Sequence, residues 1–98
     1  MKQAVPGQIS TTSLVCRSPN HFKVDHEGST VIMSIEAGKF FTFNEIGFDI
    51  WNCISALRPV SEVIDELVEK HQAPRDRVEA DVMQFLDRLA TDALLETE

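Results

Sequence analysis

Phe40-Phe41-Thr42-Phe43-Asn44-Glu45-Ile46-Gly47 is the stretch that decides how this chain folds. Up to Phe43 the side chains alternate. Phe41 and Phe43 fall on one face and Phe40 and Thr42 on the other, the period of a strand with one buried side. At Asn44 the period changes to that of a helix. Asn44 offers a side-chain oxygen to a helix start, and Glu45 suits the positive end of the helix. Ile46, Ile50, Cys53, Ile54 and Leu57 then share one stripe, flanked by Phe48 and Trp51, until Arg58-Pro59 stops it. Gly47 weakens that helix by roughly 1 kcal/mol relative to alanine, which suggests close approach by a neighbouring element.

Reading backward from Phe40, the period of two persists. Glu36-Ala37-Gly38-Lys39 is a turn in which Gly38 can take positive φ. Val31, Met33 and Ile35 share one face of the run before it. Asp25-His26-Glu27-Gly28 is another turn, and Phe22 and Val24 alternate with Lys23 and Asp25 ahead of it. Short turns between alternating runs predict hairpins, here a three-stranded antiparallel meander with the 40–43 strand at one edge. Residues 1–13, with Pro6, Gly7 and a Ser/Thr run, are expected to form a flexible tail before a domain at 14–98.

Reading forward, Ser61 is expected to cap a second helix with Val63, Ile64, Leu67 and Val68 on its apolar face, ending near His71-Gln72. Pro74 suits the first turn of a third helix. Val78, Val82, Phe85, Leu86, Leu89 and Ala93 form its stripe, widened by Met83, Ala90 and Leu94. Asp81, Gln84, Asp87 and Arg88 lie on the other flank. The expected fold is α+β, a three-stranded antiparallel sheet followed by three helices, which also resembles a winged helix.

Composition narrows the function. The 98 residues carry a net charge of -7, with nine basic side chains scattered among sixteen acidic ones. Phosphate binding needs clustered Lys and Arg, so nucleic acid and anionic membranes are poor partners. A winged-helix DNA reading would place Glu79, Asp81, Asp87 and Asp92 against phosphate. The first residues lack the apolar run of a signal peptide and no stretch approaches a membrane span. The expectation is a cytoplasmic protein with two free thiols, Cys16 and Cys53.

No arrangement of residues points to catalysis. His21, His26 and His71 lack metal-ligand spacing with one another or with either cysteine. Cys53 lies on an apolar stripe, the place of a small buried hydrophobe. Gly28, Gly38 and Gly47 do not form a phosphate-cradling loop. We expect neither enzyme activity, metal nor cofactor. The 40–43 edge is different. It has high β-propensity, no proline, and only Lys39 to blunt it. Either a helix or the N-terminal segment covers it, or an extended peptide adds to it as a further strand. Composition leaves both readings open.

The run from Val31 through Gly38 and Phe40-Phe41-Thr42-Phe43-Asn44 to Gly47, followed by Ile50-Trp51, resembles the core signature of PqqD-like proteins. The segment 60–67 resembles it too, as does the closing pattern of Val78, Asp81-Val82, Phe85-Leu86, Leu89 and Leu94-Leu95. The chain departs from the usual pattern at Phe43, where Leu usually precedes Asn, and at Asp92-Ala93, where Gly often sits. The resemblance implies a RiPP recognition element, a domain that binds the leader segment of a ribosomally synthesised precursor peptide. Within the family the chain looks most like the stand-alone subunit of a split lasso-peptide protease. That subunit works with a separate cysteine-protease-type leader peptidase. A peptide chaperone of pyrroloquinoline quinone biosynthesis is the alternative. The resemblance places the leader beside the 40–43 strand and against the third helix. Backbone groups from Lys39 to Phe43, with Phe40 and Thr42 outward and Phe41 and Phe43 in the core, should then meet the leader. Met83, Leu86 and Ala90 should wall the groove, and Asp81 and Arg88 should contact the peptide if the helix is rotated.

Overall fold

The computed structural model describes residues 1–27 and 29–98, and the side chains of all of these except His26 and Ser29. The meander is present as β3 (His21–His26), β4 (Ser29–Ser34) and β5 (Lys39–Phe41), in that spatial order, with β5 at an edge. Gly28, part of the expected first turn, lies outside the described residues. The second turn forms as expected. Gly38 takes φ 67°, and its N–H donates to the Ser34 carbonyl at 2.9 Å. Ile32 and Phe41 pair across the ladder and point into the core. Val31 and Met33 share a face, and it is the outer one. There Phe22, Met33 and Phe40 form a cross-strand row, with Phe22 46% and Phe40 64% exposed.

A second sheet was not expected. β1 (Lys2–Gln3), β2 (Leu14–Arg17), β6 (Arg58–Pro59) and β7 (Leu95–Thr97) form four antiparallel strands in the order β1-β7-β2-β6. Each is two to four residues long, too short to show a period in sequence. The expected fold therefore holds for the meander and the three helices but omits half of the strand pairing. The winged-helix likeness is incomplete for the same reason.

This sheet also corrects the reading of residues 1–13 as a loose tail. β1 pairs with β7, Ala4 is buried and its N–H donates to the Leu95 carbonyl, and the Gly7 N–H donates to Asp87 Oδ1. Further on, the carbonyls of Ser13 and Thr11 accept from the N–H groups of Val60 and Ser61, each at 3.0 Å. Those are among the first amides of α2 (Val60–His71), which would otherwise lack partners. Backbone carbonyls thus do the work expected of a Ser61 side-chain cap, and Pro59 occupies the cap position.

α1 (Glu45–Cys53) starts as read from sequence. The Asn44 side chain accepts from the Gly47 N–H at 2.9 Å. α3 spans Arg75–Thr91. Ile50, Trp51, Ile54, Val63, Ile64, Leu67, Val78, Val82, Leu86 and Leu89 meet Val15, Ile32, Phe41, Leu94 and Leu95 in one core. Leu57 falls outside α1 and is half-exposed. No helix of the described residues is long and apolar enough to cross a membrane.

Two features of this packing make testable statements. Asp49 in α1 accepts from Lys70 Nζ and from His71 Nε2, both at 2.8 Å, and so ties α1 to the end of α2. The hydrogen bond from Lys70, with His71 adding to it, holds the Asp49 carboxyl below its ordinary range. A carboxyl depressed in the folded state stabilises above its unfolded pKa, near 4, and that contribution is lost as pH falls through the folded value. Asp49→Asn should therefore lower stability at pH 7 by about 1 kcal/mol, roughly 5 °C in Tm. It should also flatten the decline of Tm below about pH 4. Thermal unfolding across pH checks both, and a parallel acid limb in the two proteins would refute the linkage.

The second concerns Gly47. A Cβ there would meet Phe43 Cβ at 3.0 Å, Asn44 Oδ1 at 3.1 Å and Phe85 Cε1 at 3.2 Å. Gly47→Ala should thus fail to deliver the roughly 1 kcal/mol that helix propensity promises. We expect a lower Tm. A gain of several degrees would mean that Phe43 and Phe85 yield freely.

Candidate functional site

The chain segment 39–46 runs antiparallel to α3 and touches it about once per helical turn. Lys39 Nζ lies 3.6 Å from Asp92 Oδ1, just past the end of α3. The Arg88 guanidinium sits 5.4 Å from the centre of the Phe41 ring, and the Phe43 and Phe85 rings meet edge-on at 5.0 Å. Asn44 and Ile46 then share a hollow with Asp81. A buried hydroxyl anchors the open end of this arrangement. Ser34 Oγ donates to the Asp92 carbonyl at 2.7 Å and accepts from the Ala37 N–H, so the β4–β5 turn is tied to the C-terminus of α3.

Between the segment and the helix lies a groove of about 530 Å³. Thr42, Phe43, Asn44, Ile46, Gly47 and Ile50 line one side, and Asp81, Gln84, Phe85 and Arg88 the other. A second hollow of about 400 Å³ shares Asn44, Ile46 and Asp81 and extends the channel toward His71 and Arg77. Among the described residues no strand neighbours the side of β5 away from β4. In an antiparallel ladder every second residue turns its N–H and C=O to that open side. The site therefore combines unpaired backbone groups, an apolar floor and two charges.

The sequence-predicted residues are distributed as follows. Lys39, Phe40 and Phe41 form β5, with Phe40 exposed outward and Phe41 buried, as read from the alternation. Thr42 and Phe43 continue past the ladder into the groove wall. Phe43, expected to meet the leader by its backbone with its side chain in the core, lines the groove with that side chain too: it is half-buried and also packs on Phe48 and Trp51. Asp81 and Arg88, held in reserve for a rotated helix, line the groove. Leu86 and Ala90 do not wall it. They are 0% and 3% exposed and belong to the core, and Met83 packs against that core. The helix is turned by about one position relative to the expectation. Asn44, Ile46, Gln84 and Phe85 were missed as groove residues. The signal was the line Asp81, Gln84, Arg88, a polar row at helical spacing beside the aromatic Phe85.

Neither thiol is poised for nucleophilic chemistry. Burial, and then the hydrogen bond that Cys53 Sγ donates to Glu66 Oε2, push the Cys53 thiol up to about 12. Burial, and then Glu96, raise Cys16. A thiol that keeps its proton is a poor nucleophile. His21 and His71 are half-buried. His21 Nδ1 lies 2.6 Å from the Ser18 carbonyl and its ring stands edge-on to Trp51, while His71 bonds Asp49.

Comparison with known proteins places this geometry. Residues 29–95 match the model of a family described as coenzyme PQQ synthesis protein D (PqqD). No curated protein gives a significant match. Among solved structures, TbiB1 in complex with the TbiA(beta) leader peptide superposes with a TM-score of 0.71 at 25% identity, over 83% of this chain and 94% of that one. The solution structure of the PqqD truncation of Methylobacterium extorquens PqqCD, described as a functional and stand-alone RiPP recognition element, gives 0.73 at 19% identity. That match covers 93% of this chain and 97% of the other. With well over half of its residues under one family model, and the groove-forming segment and α3 inside the matched span, the chain belongs to the PqqD family.

Proposed function

We propose that this chain binds the leader segment of a ribosomally synthesised precursor peptide as an added strand on β5, over the groove against α3. One observation carries the reading: an open strand edge faces a groove already lined by aromatic and aliphatic side chains. Strand addition supplies affinity through the main chain, and pockets beside the strand supply selectivity. The likeness to TbiB1, a protein solved with a leader peptide bound, supports the same reading.

The finer assignment follows the same line. We infer that the chain presents its leader to a separate cysteine-protease-type peptidase in lasso-peptide biosynthesis, in the cytoplasm, and does not itself cut. A peptide chaperone of pyrroloquinoline quinone biosynthesis is the second reading, favoured by the family match. A neighbouring gene for a short precursor with a protease and a cyclase would decide for the first. The raised Cys53 thiol supports the non-catalytic role. The purified chain should leave a precursor intact, as read by mass spectrometry. Cleavage that disappears in Cys53→Ala would overturn this.

The strand-addition step is tested by titrating a fluorescent leader. Thr42→Pro removes an N–H just past β5 and leaves the β4–β5 pairs of Ser34 with Lys39, Met33 with Phe40 and Ile32 with Phe41 in place. Binding should fall more than tenfold (over ~1.4 kcal/mol) while circular dichroism stays native. Phe40→Ala keeps the backbone and should cost less, on the order of 1 kcal/mol of buried apolar area. Unchanged affinity in both folded variants would place the ligand elsewhere.

A further inference from the structure

Several surface charges are paired within the fold. Asp49 holds Lys70 and His71, Asp65 holds Arg75, Glu62 and Glu66 meet Arg58, and Asp92 meets Lys39. Two charges that line the groove are not so paired. Among the described residues no ion pair engages Asp81 or Arg88, although both line the groove. They have opposite sign and stand at opposite ends of one apolar gap. Arg88 is held over the Phe41 ring. Asp81 sits where the main groove meets the second hollow. Phe43 and Phe85 close together between them.

Spacing turns this into a register. Seven helical residues separate Asp81 from Arg88, about 10 Å along α3. Side chains of an added strand face the groove at every second residue. Three successive groove-facing positions span about 14 Å, and a long basic or acidic arm takes up the difference. Every strand pairing among the described residues is antiparallel. A segment antiparallel to β5 runs from the Asp81 end to the Arg88 end, because β5 itself runs opposite to α3.

We propose that Asp81 and Arg88 select the bound segment by charge: a basic residue at Asp81, an apolar residue two positions later between Phe43 and Phe85, and an acidic residue two positions later again at Arg88. This rests on the peptide-binding reading above and names the chemistry of the peptide. Among the described residues Asp81 and Arg88 have no ion-pair partner, and they line a channel that an extended chain would cover, where a peptide charge of opposite sign is favoured and one of like sign penalised.

The test is selection from a displayed library of random dodecapeptides at low salt. The targets are the wild-type chain and four variants, Asp81→Lys, Asp81→Asn, Arg88→Glu and Arg88→Gln. Neither side chain belongs to the core, and the neutral variants keep the test valid if a reversed one misfolds. Wild-type selections should share the order basic, any, apolar, any, acidic. Arg88→Glu should exchange the acidic position for a basic one and leave the rest. Asp81→Lys should do the converse, and each neutral variant should lose only its own preference. A wild-type peptide should weaken roughly fivefold on either reversal, the size of a partly exposed ion pair. Identical selections on all five proteins, with binding still lost in Thr42→Pro, would overturn the charge register and leave strand addition standing. Peptides that bind Thr42→Pro undiminished, or no enrichment at all, would remove both.

Discussion

The antiparallel contact between segment 39–46 and α3 is the constraint on which the rest of the structure depends. Asp92 with Lys39, Arg88 with Phe41 and Phe85 with Phe43 join one strand end to one helix, turn by turn. The contact must be close enough to shut water out of the core below, yet open enough above to leave a channel. Gly47 sets the first condition, since a Cβ would reach three neighbours at 3.0–3.2 Å. The second is met because the helix turns Asp81, Gln84 and Arg88 outward at that line, where aliphatic side chains would have closed it. Ser34, wholly buried and bonded to the backbone of Asp92, fixes the end of the channel from beneath.

The four-stranded sheet supports that contact from the other side. β7 follows α3 directly, and β1 and β2 hold it on both edges. The C-terminus of α3 is therefore clamped between two sheets, one through Leu94 and Leu95 and the other through Ser34. Residues 11–13, by accepting from the first amides of α2, hold α2 in turn. The N-terminal segment adds little apolar burial but supplies carbonyls where helix starts need them.

The sequence made the meander, the strand-to-helix switch at Asn44 and the three helices legible because each is long enough to show a period, although α1 ends at Cys53, short of Leu57 on the expected stripe. Strands of two to four residues show none, so the second sheet stayed hidden, and with it the role of residues 1–13. The edge was legible through Phe40-Phe41-Thr42-Phe43; the groove wall was only half so. Leu86 and Ala90 look like groove residues on hydrophobicity alone, but an apolar side chain on a wide stripe goes to the core first. The groove instead took the polar row beside the stripe. Both departures from the family pattern have physical readings. Phe43 joins Phe48, Trp51 and Phe85 in a ring cluster at the groove. Ala93 takes φ 60°, a conformation that glycine adopts without steric cost.

Two chains that share only 19–25% identity with this one superpose with TM-scores above 0.7. Recognition through a strand edge, as proposed for β5, would give that tolerance a physical reason. Main-chain groups are the same in every sequence, so a site built from an open edge keeps its basic affinity while side chains drift. What must persist is the backbone course at β5 and the distance to α3, which a few contacts determine. What is freer to change is the part of the α3 row that takes no share in this contact, Asp81 and Gln84, which support neither the core nor the caps. Divergence should therefore collect at positions such as 81 and 84, where a substitution leaves both the core and the contact with β5 intact.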